Sequence, residues 1–150
     1  MSFPRFLSFL LGLSAAQVVG AAGFETPEDA VRALEQAYAQ KNADAAAAAK
    51  DFVEEARLML QNMNPSLAND SDILKQTAEV LELAFRKELG TKGYPDFAKL
   101  KCSFVGKTEI SPTLVKLTEQ CVFPDGGKSV EDVFVTKRGG WRVVVMPSDS

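Results

Sequence analysis

Lys101–Cys121, KCSFVGKTEISPTLVKLTEQC, holds both cysteines of the chain, and its reading sets the fold. From Leu100 the side chains alternate. Leu100, Cys102, Phe104, Gly106, Thr108 and Ile110 stand on one side, against Lys99, Lys101, Ser103, Val105, Lys107 and Glu109 on the other. A period of two marks a strand with one face buried and one wet. Ser111 and Pro112 interrupt it, and a second strand runs from about Leu114 to Phe123. A hairpin folded symmetrically about Ser111–Pro112 sets Cys102 directly opposite Cys121. A longer loop that slips the register by two still leaves both thiols on one face. Direct cross-strand neighbours have Cα atoms about 4.5–5.5 Å apart, which a disulfide can bridge. Two cysteines in a chain without histidine fall short of the four Cys/His ligands of a structural zinc site. The redox C-x-x-C spacing is absent. A structural bridge is expected, and neither a metal nor a cofactor.

Downstream, a third strand is predicted from about Ser129 to Lys137 and a fourth from Trp141 to Met146, with PDGGK and KRGG as turns. Upstream the period lengthens to that of helices. Thr26-Pro27-Glu28-Asp29 is a helix start: a hydroxyl cap, a proline whose missing N–H costs nothing there, and acids at the positive dipole end. Ala30, Val31, Leu34, Ala37 and Tyr38 share a face of this helix, which should run to about Lys41. Asn42 caps an alanine-rich second helix, and Asp51 with Glu54 begins a third that Asn64–Pro65 ends. Asp70 caps a longer helix with a stripe of Ile73, Thr77, Val80, Leu81, Ala84 and Phe85, expected to close at Gly90. The class is α+β: N-terminal helices packed on a curved four-stranded antiparallel sheet.

MSFPRFLSFLLGLSAAQVVGAAG at the N-terminus carries one charge at Arg5, an apolar run from Phe6 to Ala16 and small residues up to Ala21. That is the layout of a secretory signal peptide over residues 1–21. The run is shorter than the roughly 20 residues a membrane span needs, so no anchor is expected after cleavage. Residues 22–150 then form one domain, periplasmic or secreted, where a disulfide persists. The net charge of −3, without a basic block, does not suit nucleic acid.

The lack of histidine removes Ser/His/Asp and Cys/His devices together with imidazole acid–base chemistry. GKT at Gly106 and GKS at Gly127 lack the earlier glycine of a phosphate loop, because Lys101 and Val122 stand there. The second strand puts Glu119 on the face of Val115, Leu117, Cys121 and Phe123. A buried carboxylate without a partner is costly and tends to stay protonated. With the next turn on Asp125–Gly126, Asp132 pairs with Glu119 and shares its face with Val130 and Phe134. A three-residue turn moves the pairing by one and sends Asp132 outward. Two inward acids would form a proton-transfer or ligand-recognition site. Alternatively, Glu119 reaches a lysine or open solvent.

TPEDAVRALEQAYAQKNADAAAAA at the front and DGGKSVEDVFVTKRGGWRVVV at the end resemble the nuclear transport factor two-like, or ketosteroid-isomerase-like, superfamily over about residues 25–147. The resemblance implies a cone in which a bent sheet wraps a long helix and leaves a pocket at its open end. Many members carry a short hairpin where FVEEARLMLQNMNP reads as helix. An isomerase-type site in such a cone needs a carboxylate base with a tyrosine or acid donor, for which Glu119, Asp132 and Tyr38 are the candidates. Tyr38, Phe85, Phe104, Glu119 and Phe134 are the expected pocket lining. Members include enzymes, binders, immunity proteins and dimerisation modules, so the fold does not choose among them.

The expectation is an exported, non-catalytic domain that holds an apolar small ligand or a partner protein. A carboxylate-based isomerase or hydrolase-like enzyme using Glu119, and immunity to a secreted toxin, are the alternatives. Leu114, Val122 and Val144 on the outer sheet face would suit a homodimer, although scattered surface aliphatics are ordinary.

Overall fold

A computed structural model describes residues 23–147; the expected signal peptide lies outside the described residues. Helix α1, Pro27–Ala39, begins where Thr26 Oγ1 accepts from the Asp29 amide at 3.1 Å. Lys41 turns the chain with φ 53°, and Asn42 Oδ1 accepts from the Ala45 amide at 3.0 Å to start α2, Ala43–Ala48. Asp51 caps α3, Phe52–Met63, in the same way, Oδ1 to the Glu54 amide at 3.0 Å. Asp70 Oδ1 accepts from the amides of Asp72 and Ile73 at the head of α4, Ser71–Lys92. All four caps stand where the side-chain chemistry places them.

Helix α4 does not stop at Gly90. It continues to Lys92 and ends at Gly93, whose φ of 83° suits a residue without Cβ. A glycine inside a helix costs about 1 kcal/mol. Across Gly90 the last turn is tied back by Thr91 Oγ1, which donates to Lys87 O at 2.9 Å, and by Lys92, which pairs with Glu88 at 2.9 Å. The apolar stripe of α4 is also narrower than expected. Ala78, Leu81, Phe85 and Leu89 pack inward, whereas Val80 is 64% exposed and Ala84 is exposed.

The sheet is an antiparallel meander: β1 Lys101–Ser111, β2 Leu114–Val122, β3 Lys128–Lys137 and β4 Trp141–Val144. Cys102 pairs with Cys121 as expected, but by a different route. The turn is Pro112–Thr113, closed by Ser111 opposite Leu114, and two irregularities in β1, at Val105 and Ile110, bring the register back at the cysteines. A bulge puts one extra residue in one strand and reverses the faces beyond it. Gly106 and Thr108 therefore leave the inner face, and Lys107 takes the place opposite Leu117 and reaches Glu28 of α1 at 2.9 Å.

The β2–β3 connection is the three-residue turn Pro124–Gly126, in which the Phe123 amide donates to Gly127 O at 2.8 Å. Glu131, not Asp132, therefore stands opposite Glu119. The one-residue step sends Val130, Asp132 and Phe134 to the outer face, and Asp132 accepts from Thr118 Oγ1 at 2.8 Å. Val144 is 2% exposed and Leu114 and Val122 are half-buried; Val105, Ile110 and Val130 are exposed aliphatics of the sheet.

Helix α1 lies on the inner face, where Ala30 and Val31 meet Val115, Leu117, Val135 and Val143. Phe24, Leu34, Phe104, Val133 and Trp141 close this core. A second cluster joins the helices through Ala47, Phe52, Ala56 and Ala78, with Phe85 against it. This arrangement of helices over a four-stranded antiparallel sheet is the α+β order that the sequence periods predict.

Candidate functional site

Strand β2 carries Glu119 inward between Leu117 and Cys121, 6% exposed, with Phe104 opposite on β1 and Glu131 on β3. Helix α1 lays Glu35 against it from above. Glu35 follows Val31 by four positions, so it sits on the buried stripe of the helix. Its Oε1 is buried with no hydrogen-bond partner. Burial first, then the hydrogen bond and charge of Glu119, push the Glu35 carboxyl up to about 9, with Arg32 acting in the opposite direction. At neutral pH Glu35 is thus a neutral acid beside Glu119.

Tyr38 comes one turn further along α1 and lies in an aromatic group. Its ring stacks on Phe97 with centroids 5.9 Å apart and meets Tyr94 at 6.4 Å and Phe85 at 6.5 Å. Burial, then the charges of Glu55 and Glu88, push its phenol up to about 12. Between Tyr38, the Pro95–Leu100 segment and the β2–β3 turn lies a cleft of about 570 Å³. Tyr38, Phe97, Leu100 and Phe123 give it apolar walls, while Glu119, Glu131 and Asp96 supply acids.

The cysteines form a bond at the side of this cleft, S–S 2.09 Å, and Cys121 lines it. Cys102, Glu119 and Cys121 bring ligand atoms within 4.8 Å of one another. With both sulfurs joined, that cluster offers one carboxylate and no thiolate, too few donors for a metal ion.

Of the expected pocket residues, Tyr38 and Glu119 line the cleft. Phe85 instead fills the helical core against Phe52, centroids 5.5 Å apart. Phe104 packs on the sheet core with the Arg32 guanidinium 5.3 Å above its ring. Phe134 and Asp132 are on the far side of the sheet. The sequence reading missed Glu35, Phe97 and Glu131. Glu35 had a signal, an acid at helical spacing from Val31 within an apolar stripe. Glu131 depended on one residue of turn length, and Phe97 on a short 3₁₀ segment, Phe97–Lys99.

A larger groove, about 950 Å³, runs between α2, α4 and the β3–β4 turn. Its central charges are already matched: Asp51 with Arg138 at 2.8 Å, Lys50 with Glu55 at 3.2 Å, Glu82 with Arg86 at 3.4 Å. The smaller cleft, where the acids face one another, therefore has the chemistry to offer.

No protein-family model matches this chain, and no curated protein does. Among solved structures, a Campylobacter jejuni protein described as a "Putative NTF2-like transpeptidase" is similar at 14% identity and a TM-score of 0.44, over 81% of this chain and 99% of that one. No helix among the described residues is long and apolar enough to cross a membrane.

Proposed function

We propose that this chain is an exported, non-catalytic binding domain whose cleft beside Tyr38, Phe97 and Glu119 holds a small apolar ligand. The observation that supports it is the cleft itself. Its volume of about 570 Å³ lies within the range of roughly 300–1,000 Å³ common for small-molecule sites. Apolar walls with a few placed polar groups are the usual make-up of such sites. Phe85 and Phe104 fill their own cores and leave this space open. The signal-peptide layout of residues 1–21, with its expected cut after Ala21, and the disulfide suit secretion into an oxidising compartment.

The test is a screen of small aromatic and aliphatic compounds by amide chemical shifts. Ligands of this domain should perturb Phe97, Glu119 and Phe123 together, and Phe97→Ser should abolish the effect while the far-UV spectrum stays unchanged. Hits confined to the α2–α4 groove would overturn the assignment.

A carboxylate-based isomerase is the second reading, favoured by one observation: Glu35, held neutral, adjoins Glu119. A neutral acid beside a carboxylate is the pairing that proton transfer next to a carbonyl uses. It predicts deuterium exchange α to the carbonyl of small cyclic ketones, lost in Glu119→Gln. No exchange above the buffer rate rules that reading out.

A further inference from the structure

We infer that the cleft receives the ammonium group of an apolar amine, seated between the Glu119 and Glu131 carboxylates with its hydrocarbon body against Tyr38, Phe97 and Phe123. This rests on the cleft being the binding site and adds the charge of its occupant.

Glu119 and Glu131 stand directly opposite each other on antiparallel strands, an arrangement that like charges destabilise. Glu119 is also desolvated, at 6% exposure. None of the ion pairs among the described residues involves either acid. The groups around them do not supply the missing charge. Glu35 from α1 is a third carboxyl, with Oε1 buried and unpartnered. Arg32, one turn before it, lies over the Phe104 ring at 5.3 Å. At the mouth, Lys99 pairs with Asp96 at 3.5 Å, and its side chain is 73% exposed. Tyr38 stays a neutral phenol. Glu119 is thus buried beside the neutral Glu35 carboxyl and opposite the exposed Glu131, and neither Glu119 nor Glu131 has an ion-pair partner among the described residues.

The cation is organic for two reasons. A metal ion needs several donors converging on one point, and here the only such cluster among the described residues is Cys102, Glu119 and Cys121, with its sulfurs bonded to each other. An ammonium has three donors that different carboxylates can accept one at a time, and aromatic faces attract it. The stacked Tyr38 and Phe97 rings and Phe123 offer both a face for the charge and a wall for carbon.

Titration calorimetry at pH 7 and low salt with 2-phenylethylammonium, 2-phenylethanol and 3-phenylpropanoate, each mapped by amide shifts, tests this. The ammonium should bind in the cleft at least ten-fold more tightly than the alcohol, and the carboxylate should not bind. Glu131→Gln, at an exposed position, should weaken the ammonium several-fold and leave the alcohol unchanged. A cation beside Glu119 draws the proton from Glu35. Ammonium binding should therefore release protons, read as a heat that varies with the buffer's ionisation enthalpy, while alcohol binding should release none. If the alcohol binds in the cleft as tightly as the ammonium, or Glu131→Gln has no effect, the amine assignment fails and the cleft stands as a neutral site. If none of the three binds there, both fail.

Discussion

Arg138, in the turn between β3 and β4, holds Asp51 at the head of α3 with two arms of its guanidinium: Nε lies 3.1 Å from Oδ2 and Nη2 2.8 Å from Oδ1. Asp51 is 1% exposed, caps α3 through the Glu54 amide, and donates its own amide to Val143 O at 2.9 Å. Three elements thus meet at one residue. Arg138→Ala leaves a buried anion without its partner and should cost about 2 kcal/mol, less than a fully buried pair because the arginine side chain is 54% exposed. Asp51→Ala removes the cap as well and should cost about 3 kcal/mol. Urea unfolding of both single variants and the double variant measures the coupling, which should exceed 0.5 kcal/mol for contacting residues, roughly the lower bound for such pairs.

Glu35 sets a pH dependence. Its carboxyl titrates near 4.5 when unperturbed and near 9 in the fold. Between those values the folded state binds a proton that the unfolded state has lost, so stability falls as pH rises through this window. Below it both states are protonated and the effect vanishes. Glu35→Gln keeps the shape without the titration and should stabilise the domain by about 2 kcal/mol at pH 8, and by much less at pH 4. Thermal melts at both pH values decide it; an equal shift at each would contradict the assignment.

The Cys102–Cys121 bond closes a loop with a sequence separation of 19. On the chain-entropy argument its removal should cost about 3 kcal/mol. The double variant Cys102→Ser, Cys121→Ser should lower the urea midpoint accordingly without changing the sheet register, since β1 and β2 pair along their length. Protection of the β2 amides from hydrogen exchange should fall at the cysteine end first.

Gly23 sits with φ +75°, and a Cβ there would lie 2.9 Å from Gly140 C. Both facts exclude a side chain. Gly23→Ala should break the paired bonds between Phe24 and Trp141, of 3.0 and 2.8 Å, at a cost of about 1–2 kcal/mol. Faster amide exchange at Phe24 and Trp141, with α4 unaffected, is the expected signature.

Much of this architecture was legible in the sequence, and the places where it was not share a cause. The helix starts at Thr26, Asn42, Asp51 and Asp70 each depend on an oxygen and an amide two or three residues away. The end of α4 lies two residues beyond Gly90, because a helical glycine costs little and Thr91 and Lys92 bond back across it to Lys87 and Glu88. The cysteine pairing is legible although the turn lies one position beyond a hairpin symmetric about Ser111–Pro112, since the irregularities at Val105 and Ile110 offset that step.

The amino-acid sequence by itself determined the α+β order, the helix caps and which two sulfurs meet, because these follow from contacts close in the chain or from side-chain chemistry with few alternatives. Only the tertiary structure decided that Glu131 and Glu35, not Asp132, face Glu119. A strand's faces alternate with every residue, so a turn one residue longer exchanges the entire set. The helix that brings the third acid is placed by packing across residues far apart in the chain.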